Sequence, residues 1–299
     1  MSETPAIRIP HAGVDMVGES PLWDASRNAV WWVDIAGRAI RRRSFSTGSV
    51  TSIETPFMPG AIALGAGGNL IVAGGTGWYR LTDDDALELL AELPGSPAGM
   101  RMNDGTVDPA GRFWTGTVPL QATETPRGRF YRLDEKGPVE MLDGLGTQNG
   151  AAVSPDGATF YLADSHPDVR AIWAFDFDVD GGRLANRRIF HRPAHGRPDG
   201  AAVDNEGCYW FAAIDAGMII RLDPQGNEIG AIKLPVSRPT NLAFCGETLS
   251  TLVITSMSMG TDGEKLAGSL FAVEPGVNGW PQPPVTELPV VSRTEPARL

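Results

Sequence analysis

One strand–turn–strand unit occurs six times along the chain, its apolar runs are short, and its turns are marked by Gly, Asp and Asn. These three observations predict an all-β chain folded as a six-bladed β-propeller, with four-stranded blades around a central channel. The clearest copies run from Asn149-Gly150 through Ser154-Pro-Asp156-Gly157 to Phe160-Tyr-Leu-Ala-Asp164 and Phe175-Asp176, and from Asp199-Gly200 through Asp204-Asn-Glu-Gly207 to Tyr209-Trp-Phe and Arg221-Leu-Asp223. Each reads as an apolar strand, a Gly-containing turn, a second apolar strand, a loop and a third strand.

The other four copies follow the same order. Glu19-Ser-Pro-Leu-Trp-Asp24 leads to Val30-Trp-Trp-Val-Asp34, and Gly60-Ala-Ile-Ala-Leu64 leads to Leu70-Ile-Val-Ala73. Asn103-Asp-Gly-Thr-Val-Asp108 leads to Phe113-Trp114, and Thr240-Asn-Leu-Ala-Phe-Cys245 leads to Leu252-Val-Ile-Thr255. The period of about 40–50 residues is that of propeller blades. Outer fourth strands are expected at residues 50–53, 87–93, 139–142, 187–190 and 229–234. The stretch 86–93 has a helical look in isolation, but its place in the repeat makes it a strand. The whole of 1–299 is expected to be one propeller domain, with blades over roughly 15–275. A Pro-rich tail, 276–299, should close or flank it.

Composition excludes several classes. The 299 residues carry a net charge of −11, and the only basic cluster is Arg41-Arg42-Arg43 with Arg38 nearby. That cluster reads as a solvated strand face, so nucleic acid is not an expected partner. No apolar run approaches the ~20 residues of a membrane span. The start of the chain lacks the pattern of a secretory signal, and two cysteines, Cys208 and Cys245, make no disulfide framework. A cytoplasmic protein, monomeric or a small homo-oligomer, is expected.

In a propeller the first strand of each blade lines the channel. Five positions before the turn-side anchors Asp24, Ala66, Asp108, Ser154, Asp204 and Cys245 stand Glu19, Ala61, Asn103, Asn149, Asp199 and Thr240. Pseudo-symmetry places these six at matching depth around one axis. Two carboxylates and two carboxamides with no basic group repel or bind a cation, and all-oxygen donors suit a hard divalent ion. A hydrated channel without metal is the plainer alternative. Asp34, Asp164 and Asp215 end second strands and should rim the same face. Asp104 either orders water beside a ligand or forms a turn with Gly105. Asp83-Asp84-Asp85 reads as a solvated turn. His166 reads as an exposed loop residue, and Pro193 prevents His191 and His195 from aligning on a helix.

Several motifs together resemble the regucalcin (senescence marker protein)/gluconolactonase family. They are Gly18-Glu19-Ser-Pro-Leu-Trp23, Arg101-Met-Asn103-Asp104-Gly, Asn149-Gly150, Asn186-Arg-Arg188 and Pro198-Asp199-Gly200. The resemblance covers residues 19 to about 273. It implies a six-bladed propeller that hydrolyses sugar lactones with one divalent cation, whether Ca, Mg, Mn, Zn or Fe(II). By the same resemblance Glu19, Asn149 and Asp199 are the metal ligands, and Arg101 and Asn103 contact substrate hydroxyls. One departure is Val118-Pro-Leu-Gln121, where some members carry an acidic sugar contact; residues 119–127 are the expected lid.

The implied chemistry is metal-assisted acyl transfer to water, with Asp199 as candidate general base. An aldono-, urono- or aldaro-lactone is the expected substrate. A calcium-dependent phosphotriesterase or aryl esterase of related propeller type, or a non-catalytic propeller with a structural cation, are the competing functions.

Overall fold

The computed structural model describes residues 6–9, 13–95, 99–121 and 128–288. Its regular structure is entirely strand, arranged as six antiparallel four-stranded sheets. Blade 1 comprises Gly18–Asp24, Ala29–Asp34, Ala39–Ser44 and Val50–Glu54, and blade 2 comprises Pro59–Leu64, Leu70–Gly74, Gly77–Leu81 and Leu87–Glu92. Blade 3 is Met100–Val107, Phe113–Pro119, Gly128–Asp134 and Gly137–Leu145, and blade 4 is Gln148–Val153, Thr159–Asp164, Ala171–Asp178 and Arg183–His191. Blade 5 is Arg197–Val203, Tyr209–Ile214, Met218–Leu222 and Glu228–Lys233. The expected six-bladed propeller is the observed fold, and 87–92 is a strand. Among the described residues no helix is long and apolar enough to cross a membrane.

Blade 6 is completed from the other end of the chain. Pro239–Cys245, Thr251–Ser256 and Leu270–Val273 take Ile7–Ile9 as their outer strand, with Arg8 opposite Phe271. The sequence reading began the blades near residue 15 and so missed this closure. Pairing the first strand with the last blade covers the edge of Leu270–Val273 and leaves only a three-residue strand as the outer edge. The described part of the Pro-rich tail crosses the turn side instead: Gly279 bridges Asp204, and Val285 bridges Gly65.

The core is divided into six wedges, one in each seam between neighbouring blades. Between blades 2 and 3, for example, Trp78 and Leu93 pack with Met102, Phe113 and Tyr131. Rigid seams of this kind fix the six inner strands relative to one another. Each turn-side anchor aspartate also ties its own blade. Asp24, Asp108 and Asp204 accept the indole N–H of Trp31, Trp114 and Trp210 at 3.2, 2.8 and 2.8 Å, and each pairs with an arginine, Arg27, Arg112 or Arg221. These three aspartates anchor the turn-side ends of the inner strands of blades 1, 3 and 5.

The basic segment of blade 1 is only partly a solvated face. Arg41 turns inward, 2.8 Å from the buried Asp15 carboxylate and 3.4 Å from that of Asp34, while Arg42 lies over Trp31.

Candidate active site on the propeller axis

In every blade the register between first and second strands slips near the axis, between Glu19 and Leu22, Pro59 and Ala61, Met102 and Gly105, Asn149 and Ala152, Pro198 and Ala201, and Pro239 and Leu242. These are β-bulges. A bulge breaks the alternation of side chains, so consecutive residues can reach the same region. Asn103 and Asp104 both do so, and both are buried.

Blade 2 contributes no polar side chain to the ring. A side chain on Gly60 would lie 2.6 Å from the Met102 carbonyl, so the backbones of blades 2 and 3 meet there directly.

The other five blades meet in one hydrogen-bonded cluster. Asn149 donates from Nδ2 to Ser165 Oγ at 2.7 Å, and its Oδ1 accepts from Asn103 Nδ2 at 2.8 Å. Ser165 in turn donates to the Pro198 carbonyl, next to Asp199. The Asn149 amide is thereby fixed with its oxygen toward the axis. Asn103 also donates to the Gln148 carbonyl, and its Oδ1 accepts from Arg101 at 2.8 Å. On the opposite side Asn241 Nδ2 donates to Glu19 Oε2 at 2.8 Å and to Asp104 Oδ1 at 3.2 Å. Glu19 Oε2 also accepts the Ser20 amide at 2.9 Å.

The electrostatics follow from burial. Desolvation, and then the nearby Asp104 carboxylate, push the Glu19 carboxyl up to about 8. Burial raises Asp104 to about 6. Asp199 is held well above the usual carboxylate range by burial first and by Glu19 and Asp104 second. Burial lowers the Arg101 guanidinium to about 10, opposed by the attraction of Glu19 and Asp199. Fully ionised, three carboxylates against one guanidinium leave two negative charges. That is the charge one divalent cation neutralises, and every free donor is an oxygen, so the residues present fit such an ion.

The structure thus brings Glu19, Asn103, Asn149 and Asp199, the residues the repeat offset aligns, into one cluster with Arg101, which the family resemblance pointed to. It departs from the sequence reading in three places. The sixth axial group is Asn241: Thr240 turns aside to the Gly18 carbonyl and to Thr255. Asp104, read either as ordering water beside a ligand or as forming a turn with Gly105, is no turn residue but a buried strand residue that accepts the Ala151 amide at 3.3 Å. Asp34 and Asp164 are buried and do not line the rim. Asp34 accepts the amides of Met16, Val17 and Gly37, and Asp164 those of Gly146, Thr147 and His166. Ser165, like Asn241, was missed; its place directly after a strand-ending aspartate was the available signal. Of the expected lid, 122–127 lie outside the described residues.

Two other features lie on the turn side. A cavity of about 430 Å³ sits there beneath the carboxylates, walled by residues such as Leu22, Ile62, Val203 and Phe244, reaching up to Asp104 and Asn241 and bounded below by Trp280 to Pro283. Asp204, Glu206 and Cys208 also approach one another. Arg221 already serves as their cation, 2.6 Å from Asp204 and 2.7 Å from Glu206. The axial cluster is therefore the better place for a metal.

A propeller whose axis gathers buried carboxylates and amides from five blades defines a class of axial-site, ligand-binding propellers. Comparison with known proteins narrows it. Residues 17–258 match the SMP-30/Gluconolactonase/LRE-like region, and the chain belongs to that family. It is 38% identical over 275 residues to 6-deoxy-6-sulfogluconolactonase of Pseudomonas putida, covering 90% of this chain and 94% of that protein. It is 34% identical over 296 residues to regucalcin of Gallus gallus, covering 93% and 98%. Among solved structures, the calcium-binding protein regucalcin of Agrobacterium tumefaciens superposes with a TM-score of 0.88 at 28% identity, covering 95% of this chain and 99% of that one.

Proposed function

We propose that this protein hydrolyses a sugar lactone to the open-chain sugar acid with one divalent cation held by Glu19, Asn149 and Asp199. The observation that carries the reading is the unbalanced axial charge, three buried carboxylates facing a single guanidinium. The relative in Pseudomonas putida is named for a lactone of this kind. When bound, the cation would supply Lewis-acid polarisation of the lactone carbonyl.

The chain's own residues supply the rest. Asp199 is the residue assigned to take the proton of the attacking water. Asn103 holds Asn149 in its ligating orientation and Arg101 in place, and is the residue assigned with Arg101 to contact a substrate hydroxyl. Arg101 binds ring hydroxyls with its remaining N–H groups. Asn241 favours the ionised forms of Glu19 and Asp104 against burial by donating to both. Cys208 and Cys245 are buried and free, which fits a reducing cytoplasm.

The test is acid release from aldono-, urono- and aldaro-lactones by chelator-stripped protein resupplied with single divalent metals. Metal-dependent turnover of at least one lactone is expected. No turnover with any pair, from protein shown to be metal-loaded, would overturn the reading.

A further inference from the structure

The repeat that aligns the axial groups also aligns a second set. Seven residues before the turn-side anchors of blades 3, 5 and 6 stand Arg101, Arg197 and Arg238; the other three blades have Val17, Pro59 and Thr147. All three arginines precede their axial residue by two positions, in Arg101-Met-Asn103, Arg197-Pro-Asp199 and Arg238-Pro-Thr240. Arg101 and Arg197 each pair with a residue at or next to the end of the neighbouring second strand, Val118 and Ile214. The Arg238 carbonyl accepts the amide of Met257, just past the end of its own. The three guanidinium groups therefore start from one level, at the mouth above the carboxylates.

Their partners differ. Arg101 is turned inward, to Asn103 and the Met102 carbonyl. Arg197 and Arg238 share one carboxylate: Arg197 Nε is 2.7 Å from Asp215 Oδ2, and Arg238 Nε is 2.9 Å from Asp215 Oδ1. Arg238 NH1 donates to the Met259 carbonyl at 2.9 Å, and Arg197 NH1 reaches the Ser165 carbonyl at 3.5 Å. The NH2 nitrogen of each has no partner among the described residues. Two cations thus share the single Asp215 carboxylate, with Arg197 also attracting the deeper Asp199, on side chains only 25% and 26% exposed. Asp215 holds this geometry from a left-handed backbone conformation, φ 71°. Ser165 links the pair to the axial cluster, because its carbonyl faces Arg197 and its hydroxyl accepts from Asn149.

The geometry points to an oxyanion-binding ledge formed by Arg197 and Arg238, which selects lactones carrying a carboxylate or sulfonate at the end remote from the ring carbonyl. This rests on the lactonase reading and names its substrate class. Two guanidinium groups about one-quarter exposed and at fixed spacing, each with an NH2 nitrogen that has no partner among the described residues, suit a multidentate oxyanion and give a neutral hydroxymethyl group much less. A plain staple between blades 5 and 6 is the competing role. It would affect stability without affecting choice of substrate.

The experiment compares an aldaric monolactone with the aldonic lactone of the same chain length, on metal-loaded full-length protein. Wild type, Arg238→Gln and the double variant Arg197→Gln/Arg238→Gln are measured, with melting temperatures as a fold control. Wild type should favour the acidic lactone in kcat/KM. The ratio of acidic to neutral should fall about tenfold in Arg238→Gln and further in the double variant, mainly through KM, as loss of a charge-assisted pair requires. It should also shrink as ionic strength rises.

An unchanged ratio in both variants, or a wild-type preference for the neutral lactone, overturns the ledge. Should neither lactone be hydrolysed, the lactonase reading fails, and calorimetry with the corresponding open-chain diacid and monoacid still decides the ledge. Tighter diacid binding, lost in the double variant, supports it, and equal binding overturns it.

Discussion

Asn241→Ala probes a residue that no repeat offset identified. The Asn241 amide donates to Glu19 at 2.8 Å and to Asp104 at 3.2 Å, and it is among the forces lowering both carboxyls against burial. A hydrogen bond to a charged group contributes about 1.5–3 kcal/mol, and the 3.2 Å contact is the weaker, so roughly 2–3 kcal/mol of preference for the ionised pair is at stake. Protons compete with a cation for these oxygens, so metal affinity at neutral pH should fall about 10–100-fold, the usual cost of removing a group that supports a ligand. The deficit should shrink at alkaline pH, where proton competition is relieved. Gly200→Ala should mimic it, because an added methyl would overlap the Asn241 amide. Calorimetric titration of chelator-stripped protein with Mn²⁺ or Ca²⁺ at two pH values measures this. Unaltered affinity, or a deficit that does not depend on pH, would refute the reasoning.

Three further outcomes are expected. Asp199→Asn, saturated with metal, should lose about 10²–10⁴-fold in kcat, the range for loss of a general base, and full activity would remove that role. In the metal-free protein, Glu19 and Asp104 have raised folded-state values, about 8 and about 6. Their contribution to stability is therefore fully present below the ordinary carboxyl range and is lost as pH rises through those values. Thermal melts should show the metal-free form weakening from about pH 4 to pH 8, and the gain from metal growing over the same interval; a gain independent of pH would contradict this. Removing residues 1–9 deletes the outer strand of blade 6 and exposes the edge of 270–273. A lower melting temperature and concentration-dependent aggregation should follow, both absent if the closure is dispensable.

The blade repeat was legible because the turn aspartates that tie Trp31, Trp114 and Trp210 stand at a constant distance from the next strand. Counting back from them reached Glu19, Asn103 and Asp199, and the same count from Ser154 reached Asn149. The same count failed at Thr240, since a bulge makes one neighbour turn away and the next turn in, and spacing does not encode which. Asp34 and Asp164 were placed on the rim because they end strands. Their carboxylates instead take up loop amides that otherwise lack partners, a demand visible only once the connections are in place. The closing strand Ile7–Ile9 is three residues long, too short to carry a period of its own. The Arg41 side chain read as solvated because its partner Asp15 precedes the first recognised blade.

The central claim is that the axial carboxylates hold one divalent cation and that lactone hydrolysis depends on it. Its most direct test is a titration of chelator-stripped protein with a divalent metal, with initial rates of lactone hydrolysis and bound metal followed together. Activity should be near zero without metal and rise linearly to a break at one equivalent, and Glu19→Gln/Asp199→Asn should bind none at that site. Full hydrolysis by the stripped protein, or a bound metal retained by that double variant, would contradict the account.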